Sequence, residues 1–219
     1  FTFPERHDKM CPYPYFSFLR GHTMDSNFFA LISRMRYIAR WGLMRNALPE
    51  NIQEHSHMVA VLAHALGVIR RDIFHQPCDV NALATAALYH DASEILTGDL
   101  PTPIKYHNAE IMSAYHAVED LAVQKLLGML PPELRETYAD VLAEDKDGDI
   151  YPLVKAADKL SAYIKCIEER KAGNNEFLSA EAQTRAALEA SPLPEVHYFL
   201  EHFIPAFERD LDELGAIGQ

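Results

Sequence analysis

Helical periodicity is the feature that most constrains the fold of this chain. Apolar residues recur every three or four positions along most of its 219 residues. One such stripe, within residues 51–74, runs through Ile52, Val59, Leu62 and Leu66. Beyond residue 24, the alternation typical of strands never extends past a few residues. The sequence therefore predicts an all-α fold, a single bundle of about seven or eight helices.

The helical segments can be placed from apolar spacing and from residues that begin or end helices. They are residues 26–41, 51–74, 79–96, 108–130, 131–145, 150–173, 176–190 and 194–215. Ser26 is a candidate N-cap of the first segment, and Asp79 or Asn81 of the third. Gly98 follows the third segment, where a left-handed residue commonly ends a helix. Pro101 and Pro103 would prevent its continuation.

The first 23 residues differ from the remainder. They are rich in aromatic residues and proline, lack periodicity and begin without methionine, whereas Met24 precedes the first clear helical pattern. We interpret residues 1–23 as an N-terminal extension or a cloning remnant. Residues 24–219 are then expected to form the domain.

Charge and cysteine usage exclude several classes of protein. A formal net charge of -12 argues against binding to a nucleic-acid polymer, which requires clustered basic residues. The three cysteines, Cys11, Cys78 and Cys166, form no Cys-x-x-Cys pair, which predicts a reducing, cytoplasmic location. The weakly polar run 56–69 is too short to cross a bilayer, so no membrane association is expected.

Several polar residues fall on predicted apolar helix faces. They are His55, His90, Asp91 and Asp158. Taken singly, each has a simple alternative. His55 is compatible with a hydrogen-bonded core histidine, Asp158 with an i,i+3 pair to Lys155, and His90 with a pair to Glu94. Together, two imidazoles and two carboxylates converging between helices would suit a divalent transition metal, which can activate water near neutral pH.

The order of these four residues along the chain resembles a known motif. His…His-Asp…Asp on three helices resembles the HD-domain phosphohydrolase superfamily. Further stretches are similar to bacterial 5′-deoxynucleotidases, which hydrolyse deoxyribonucleoside 5′-monophosphates. These stretches are RW (40–41), EHS (54–56), YHDASEILTGDLPTP (89–103), LVKAADKL (153–160) and AGNNEF (172–177). The resemblance extends from residue 24 to about residue 215, and implies an HD-domain helical bundle.

The resemblance also implies roles for individual residues. His55, His90, Asp91 and Asp158 would bind one divalent cation, with cobalt, manganese or copper as the usual activators. Glu94 would be the general acid or base, acting through a water molecule beside the ion, and Arg40 would orient the phosphate. Trp41 would exclude a ribose 2′-hydroxyl. The substrate-binding set would be Arg40, Trp41, Asp91, Asp99, Leu100, Pro101, Thr102 and Asp158, with Asp99 contacting the sugar 3′-hydroxyl.

Elementary chemistry agrees with part of this assignment. Glu94 lies four residues after His90 and three after Asp91, so a continuous helix would place all three on one face. An arginine such as Arg40 can bind phosphate through two parallel hydrogen bonds, which a lysine cannot do. Trp41 is equally compatible with an anchor at a helix end. For Lys105, a solvated side chain is favoured over a phosphate contact.

We therefore predict a metal-dependent phosphomonoesterase that acts on deoxyribonucleoside 5′-monophosphates by direct attack of water, since no covalent nucleophile is recognisable. The alternatives are another HD phosphohydrolase, acting on nucleoside triphosphates or cyclic phosphodiesters, and a non-catalytic nucleotide- or metal-binding module. Retention of Glu94 weighs against the module. The resemblance further implies a homodimer.

Overall fold

A computed structural model of the chain describes residues 26–105, 107–143 and 148–215. Within these residues the backbone is helical and contains no β-strand beyond an isolated bridge between Ala39 and Asn51. The prediction of an all-α bundle is confirmed. The segment 1–23, interpreted as an extension, lies outside the described residues.

The helices follow the chain in the order of the predicted segments. They are α1 (Phe28–Ile32), α2 (Ile52–Val68), α3 (Val80–Tyr89), α4 (Glu94–Thr97), α5 (Thr102–Lys105), α6 (Ala109–Gly128), α7 (Pro132–Leu142), α8 (Tyr151–Lys171), α9 (Leu178–Glu189), α10 (Pro194–His202) and α11 (Ile204–Phe207). Short 3₁₀ turns cover Ser33–Tyr37 and Asn175–Phe177, and a π turn, Ile69–Ile73, extends α2.

The core is built around α2, which packs against α3 and α8. Leu66 of α2, Leu83 of α3 and Leu160 of α8 are fully buried in one cluster. Removing a leucine side chain from water contributes about 1.5–3 kcal/mol. His55 and Asp158 lie on α2 and α8, and His90 and Asp91 directly follow α3, so the core fixes the relative positions of these residues.

The first predicted helix, 26–41, is wrong in its length. Helix α1 ends at Ile32, a 3₁₀ turn follows, and Ile38 is extended. The N-cap is Asn27 instead of Ser26, whose hydroxyl donates to the carbonyl oxygen of Met129. Residues 38–40 are not helical because they pair with residues 50–52, and the amide of Ile52, the first residue of α2, donates to the carbonyl of Ile38.

Two further predicted helices are interrupted. The segment 79–96 leaves α-helical geometry after Tyr89, because the amides of Ala92 and Glu94 bond three residues back instead of four. The segment 194–215 ends as a regular helix at His202, is followed by the four-residue α11, and continues as turns. Pro205 has no amide hydrogen to extend the helix.

The helix ends whose capping contacts lie within a few residues are those that the sequence predicts best. Asp79 caps α3 through the amides of Asn81 and Ala82. Asn51 and Glu54 form a capping box at the start of α2. Gly98 has a φ of 75°, the left-handed value expected after a helix. Among the described residues, no helix is both long and apolar enough to cross a membrane.

Candidate active site

Side chains from α2, α8 and the end of α3 converge at one end of the core. Among the described residues, one potential ligand atom each from His55, His90 and Asp158 lies within 4.8 Å of the others. Nε2 of His55 is 3.0 Å from Oδ1 of Asp158. The side chains of His55 and His90 are 0% and 2% exposed. The structure therefore assembles two imidazoles and a carboxylate that are 103 residues apart in sequence at their extremes, positions 55 and 158.

Each imidazole is held by its Nδ1 atom. Nδ1 of His90 lies 2.7 Å from the carbonyl oxygen of Ala87, to which it must donate. Nδ1 of His55 lies 3.2 Å from the hydroxyl of Ser161. The Nε2 atoms of both rings are buried and face carboxylate oxygens, at 3.0 Å on Asp158 for His55 and at 3.2 Å on Asp91 for His90, without a well-aligned hydrogen bond. Both rings thus direct Nε2 towards the shared centre.

Asp91 lies beside this centre. Its Oδ1 is 3.2 Å from Nε2 of His90, and its Oδ2 is 3.6 Å from Nε2 of His55. Oδ2 also accepts a hydrogen bond from Nη1 of Arg40 at 3.2 Å. Asp91 does not belong to the group of three mutually close ligand atoms. Its carboxylate instead joins the imidazoles to the guanidinium.

The residues present fit a bound divalent cation. A buried imidazole nitrogen that lacks a well-aligned hydrogen bond is costly, and ligand histidines usually fix their orientation through the other ring nitrogen. His55 and His90 have both properties. Two nitrogen donors with carboxylate oxygens form a mixed set suited to a transition metal.

The charges at this centre perturb one another. Burial alone would lower the pKa of His90, but the carboxylates of Asp91 and Asp158 outweigh it, and the net shift is upward. Burial would raise the pKa values of both carboxyl groups, yet His90 and His55 lower the pKa of Asp91, and His55 lowers that of Asp158. Both carboxylates are therefore ionised at neutral pH.

Glu94 occupies the first position of α4 and is 6% exposed. Its Oε2 has no hydrogen-bond partner among the described residues. Burial, together with the negative charges of Asp91 and Asp99, raises the pKa of Glu94 to about 10. In this charge environment the side chain is protonated at neutral pH. It can therefore supply a proton to a neighbouring atom.

Arg40 and Trp41 lie between the 3₁₀ turn and α2. Arg40 is 13% exposed, and its Nε donates to Oε2 of Glu50 at 3.3 Å. Trp41 has a φ of 58°, which is rare for residues other than glycine, and its ring packs 5.2 Å from that of Phe177. Trp41 is therefore not the helix-end anchor that the sequence also allowed.

The loop after α4 contains the remaining predicted substrate contacts. Asp99, Leu100 and Pro101 are half-buried, and the side chain of Thr102 lies outside the described set. Burial raises the pKa of Asp99, an effect that the nearby Arg40 only partly offsets. The structure thus places Asp99 in the same charged environment as Arg40.

The prediction of a solvated Lys105 is wrong. Its Nζ donates to Oε1 of Glu119 at 2.9 Å and lies 4.6 Å from the centre of the Tyr115 ring. Only 20% of the side chain is exposed. The tertiary contact with α6, which a single helix pattern does not reveal, removes this lysine from solvent.

Two residues of the site were missed in the sequence. Ser161 orients His55, and Glu50 bonds to both Arg40 and Trp41. Ser161 lies three positions after Asp158, so helical spacing could have identified it. Glu50 precedes the N-cap of α2 and has the appearance of a surface glutamate. No local signal distinguishes it.

The sequence of this chain was compared with those of known protein families and of individual proteins. The sequence model of a family described as 5′-deoxynucleotidase YfbR-like matches residues 27–207. Curated proteins named 5′-deoxynucleotidase YfbR, from Shigella boydii serotype 18 and Escherichia coli K12 / DH10B, are 50% identical over 192 residues. The match covers 87% of this chain and 96% of each relative.

Solved structures share the fold. An HD-domain phosphohydrolase from Listeria innocua superposes with a TM-score of 0.74 at 25% identity, covering 84% of this chain and 90% of that one. DatZ, an HD phosphohydrolase from cyanophage S-2L described as bound to dA and one catalytic Zn²⁺ ion, gives a TM-score of 0.54 at 24% identity. The match covers 80% of this chain and 95% of DatZ, and it supports the shared fold alone. The predicted HD-domain bundle is confirmed.

Proposed function

This chain belongs to the family of YfbR-like 5′-deoxynucleotidases, and we propose that it hydrolyses deoxyribonucleoside 5′-monophosphates to deoxynucleosides and phosphate with a divalent metal. The observation that carries the proposal is the convergence of two buried Nε2 atoms, of His55 and His90, with the carboxylate of Asp158, whose ligand atoms all lie within 4.8 Å of one another. Arg40 and Glu94 lie in the same charged environment. This combination suits a site that binds a metal and a phosphate ester together.

His55, His90, Asp91 and Asp158 would hold the ion. When bound there, a divalent cation would polarise phosphate oxygens and lower the pKa of a water molecule. Cobalt, manganese or copper is our proposal for the activating metal. The mixed nitrogen and oxygen donor set supports a transition metal over magnesium or calcium, which prefer oxygen ligands.

Arg40 is proposed to orient the phosphate. Its Nε and one Nη1 hydrogen are engaged by Glu50 and Asp91, which leaves further N–H groups of the guanidinium for phosphate oxygens. Phosphoryl transfer depends chiefly on positioning and on neutralising the charge of the equatorial oxygens. A fixed guanidinium contributes to both.

Glu94 is proposed as the general acid or base. A carboxylic acid with a pKa near 10 in the free site holds a proton at neutral pH. It could give that proton to the departing 5′-oxygen of the nucleoside and afterwards accept one from water. Its unpartnered Oε2 is the atom available for this transfer.

Trp41 is proposed to select the sugar, and Asp99, Leu100, Pro101 and Thr102 to hold the nucleotide. The left-handed backbone at Trp41 and its contact with Phe177 support a fixed position for the indole. A rigid ring can exclude a 2′-hydroxyl sterically, whereas a loosely packed apolar wall would discriminate weakly. Asp99 would accept a hydrogen bond from the 3′-hydroxyl. A homodimer and a cytoplasmic location also remain part of the proposal.

The proposal can be tested by phosphate release. The protein would be treated with a chelator, supplied with cobalt or manganese, and incubated with dAMP or AMP. Metal-dependent release from dAMP and little release from AMP are expected. Absence of release from dAMP by protein shown to contain the metal would overturn the proposal.

A further inference from the structure

Glu50 is the one described residue whose side chain bonds to both members of the Arg40–Trp41 pair. Its Oε2 accepts from Nε1 of Trp41 at 2.8 Å and from Nε of Arg40 at 3.3 Å. The side chain is 16% exposed, and that of Arg40 is 13% exposed. Hydrogen bonds to an ionised acceptor are roughly twice as strong as neutral ones. One carboxylate oxygen therefore restrains both neighbouring side chains.

The backbone of Glu50 is itself held in place. Its carbonyl oxygen accepts from the amide of Arg40 at 3.0 Å, and the adjacent Asn51 forms an antiparallel bridge with Ala39. Asn51 also caps α2. Because α2 belongs to the packed core, Glu50 is anchored to a rigid element, while Trp41 lies in a loop.

The indole of Trp41 is restrained at two places. Its N–H group is bound by Glu50, and the ring packs against Phe177. Loss of the hydrogen bond would remove the directional restraint and leave the aromatic contact, which permits sliding and tilting of the ring. A wall that moves cannot exclude a single hydroxyl group sterically.

Glu50 has a weaker relation to the metal centre. Its Oε1 lies 3.9 Å from Nδ1 of His55, whereas the Ser161 hydroxyl lies 3.2 Å from the same nitrogen. His55 is thus oriented mainly by Ser161. Changes at Glu50 should affect the substrate more than the ion.

We propose that Glu50 is a positioning residue that couples sugar selection to phosphate orientation, by holding the Trp41 indole and the Arg40 guanidinium with one carboxylate oxygen. The coupling rests on the proposed function, since it assigns Trp41 to the sugar and Arg40 to the phosphate. Glu50 would act through these two partners and not by binding the substrate itself.

Two substitutions separate the contacts. Glu50→Gln keeps an oxygen that can accept from the indole but loses the charge that attracts Arg40, whereas Glu50→Ala removes both. Glu189→Gln is a matched control, because Glu189 is an exposed residue of α9 whose carboxylate forms an ion pair with Arg185. The first measurement is kcat/KM for dAMP and for AMP with saturating metal.

For Glu50→Ala, the ratio of kcat/KM for dAMP to that for AMP should fall about fivefold or more, the effect of losing one buried hydrogen bond. For Glu50→Gln, kcat/KM should fall for both nucleotides while their ratio stays within about threefold of the parent. In a Trp41→Ala background, Glu50→Ala should not change the ratio further. If kcat/KM falls equally for both nucleotides in Glu50→Ala, so that their ratio is unchanged, Glu50 has only a structural role and the proposal is wrong.

A second measurement does not depend on catalysis. Trp41 is the only tryptophan of the chain, so tryptophan fluorescence reports on this side chain alone. Quenching by acrylamide should increase in Glu50→Ala and stay near the parent value in Glu50→Gln and Glu189→Gln. Unchanged quenching in Glu50→Ala would overturn the proposal. If the parent releases no phosphate from dAMP but the quenching increases, the assigned reaction fails while the restraint of Trp41 by Glu50 stands.

Discussion

Nδ1 of His90 donates to the carbonyl oxygen of Ala87, one turn earlier, across 2.7 Å. This bond fixes the neutral ring as the tautomer in which Nε2 carries a lone pair. The same nitrogen is buried, without a partner, and 3.2 Å from a carboxylate oxygen of Asp91. A proton on Nε2 would satisfy both atoms in the free site, in keeping with the raised pKa of His90, and a bound metal ion would take the place of that proton.

Replacement of His90 should therefore abolish tight metal binding. We expect His90→Ala to weaken cobalt or manganese binding by at least about 100-fold, since loss of even an outer partner of a ligand costs 10–100-fold. Isothermal titration of the chelator-treated protein measures the affinity. His64→Ala, an exposed histidine of α2, is the control and should bind as the parent does. Equal affinities for the parent and His90→Ala would remove His90 from the ligand set.

Replacement of Glu94 should separate catalysis from binding. Glutamine keeps the size of the side chain but cannot transfer a proton, so kcat for dAMP should fall by about 10²–10⁴-fold in Glu94→Gln. Metal affinity should change little, because Glu94 is not among the proposed ligands. Steady-state kinetics and titration of the ion provide the two readings. A variant that turns over dAMP at the parent rate would disprove the acid–base role.

Replacement of Trp41 should relax sugar selection. Trp41→Ala removes the proposed barrier, and we expect kcat/KM for AMP to rise relative to that for dAMP by about tenfold or more. Trp41→Phe keeps an aromatic ring against Phe177 but loses the bond to Glu50, so its ratio should lie between those of the parent and Trp41→Ala. An unchanged ratio in Trp41→Ala would exclude the residue from discrimination.

The proposed metal ligands could be found in the sequence because their environment is local. His55 replaces an apolar residue on the stripe of α2, and helical spacing alone places it on the buried face beside Val59 and Leu62. Asp158 lies on α8 among buried neighbours in the same way. The order of these residues along the chain then indicated the family.

The surroundings of Arg40 and Trp41 could not be predicted from helical spacing. Helical spacing continues to Ile38, so the pattern predicted a helix through Trp41. The actual backbone is set by hydrogen bonds to residues 50–52, which no local pattern encodes. The left-handed φ of Trp41 and the hydrogen bond from its indole to Glu50 both accompany that pairing. Long-range contacts of this kind override local propensity.

Gly98 should be needed for its backbone conformation alone. Its φ and ψ are 75° and 162°, and an added Cβ would meet no atom within 4 Å. We expect Gly98→Ala to reduce the free energy of unfolding by about 1–3 kcal/mol through backbone strain. Gly128→Ala is the matched control, because Gly128 ends α6 and also has open space around its Cβ position. That change should be neutral or stabilising by up to about 1 kcal/mol. Urea denaturation measures both, and equal effects would show that the left-handed geometry at Gly98 carries no strain.

The stability of the fold in acid should depend on Glu169, a fully buried carboxylate of α8. Its oxygens accept hydrogen bonds from Lys165, from Asn174 and from the amides of Ala47 and Leu48 in the loop after Trp41. Burial would raise the pKa of Glu169, but these hydrogen bonds outweigh it and lower the pKa from 4.5 to about 2.

Since the folded-state pKa is the lower one, Glu169 stabilises the fold at pH values above about 4.5, by roughly 3 kcal/mol. This contribution should decline as the pH falls from 4.5 towards 2. Glu169→Gln should therefore be less stable than the parent near neutral pH, and the difference in free energy of unfolding should narrow as the buffer is taken to about pH 3.5. Denaturant titrations at the two pH values give this difference, with Glu189→Gln as an exposed control whose difference from the parent should stay small. A difference for Glu169→Gln that does not vary with pH would contradict the ionised, hydrogen-bonded state of Glu169, and with it the anchoring of the loop after Trp41.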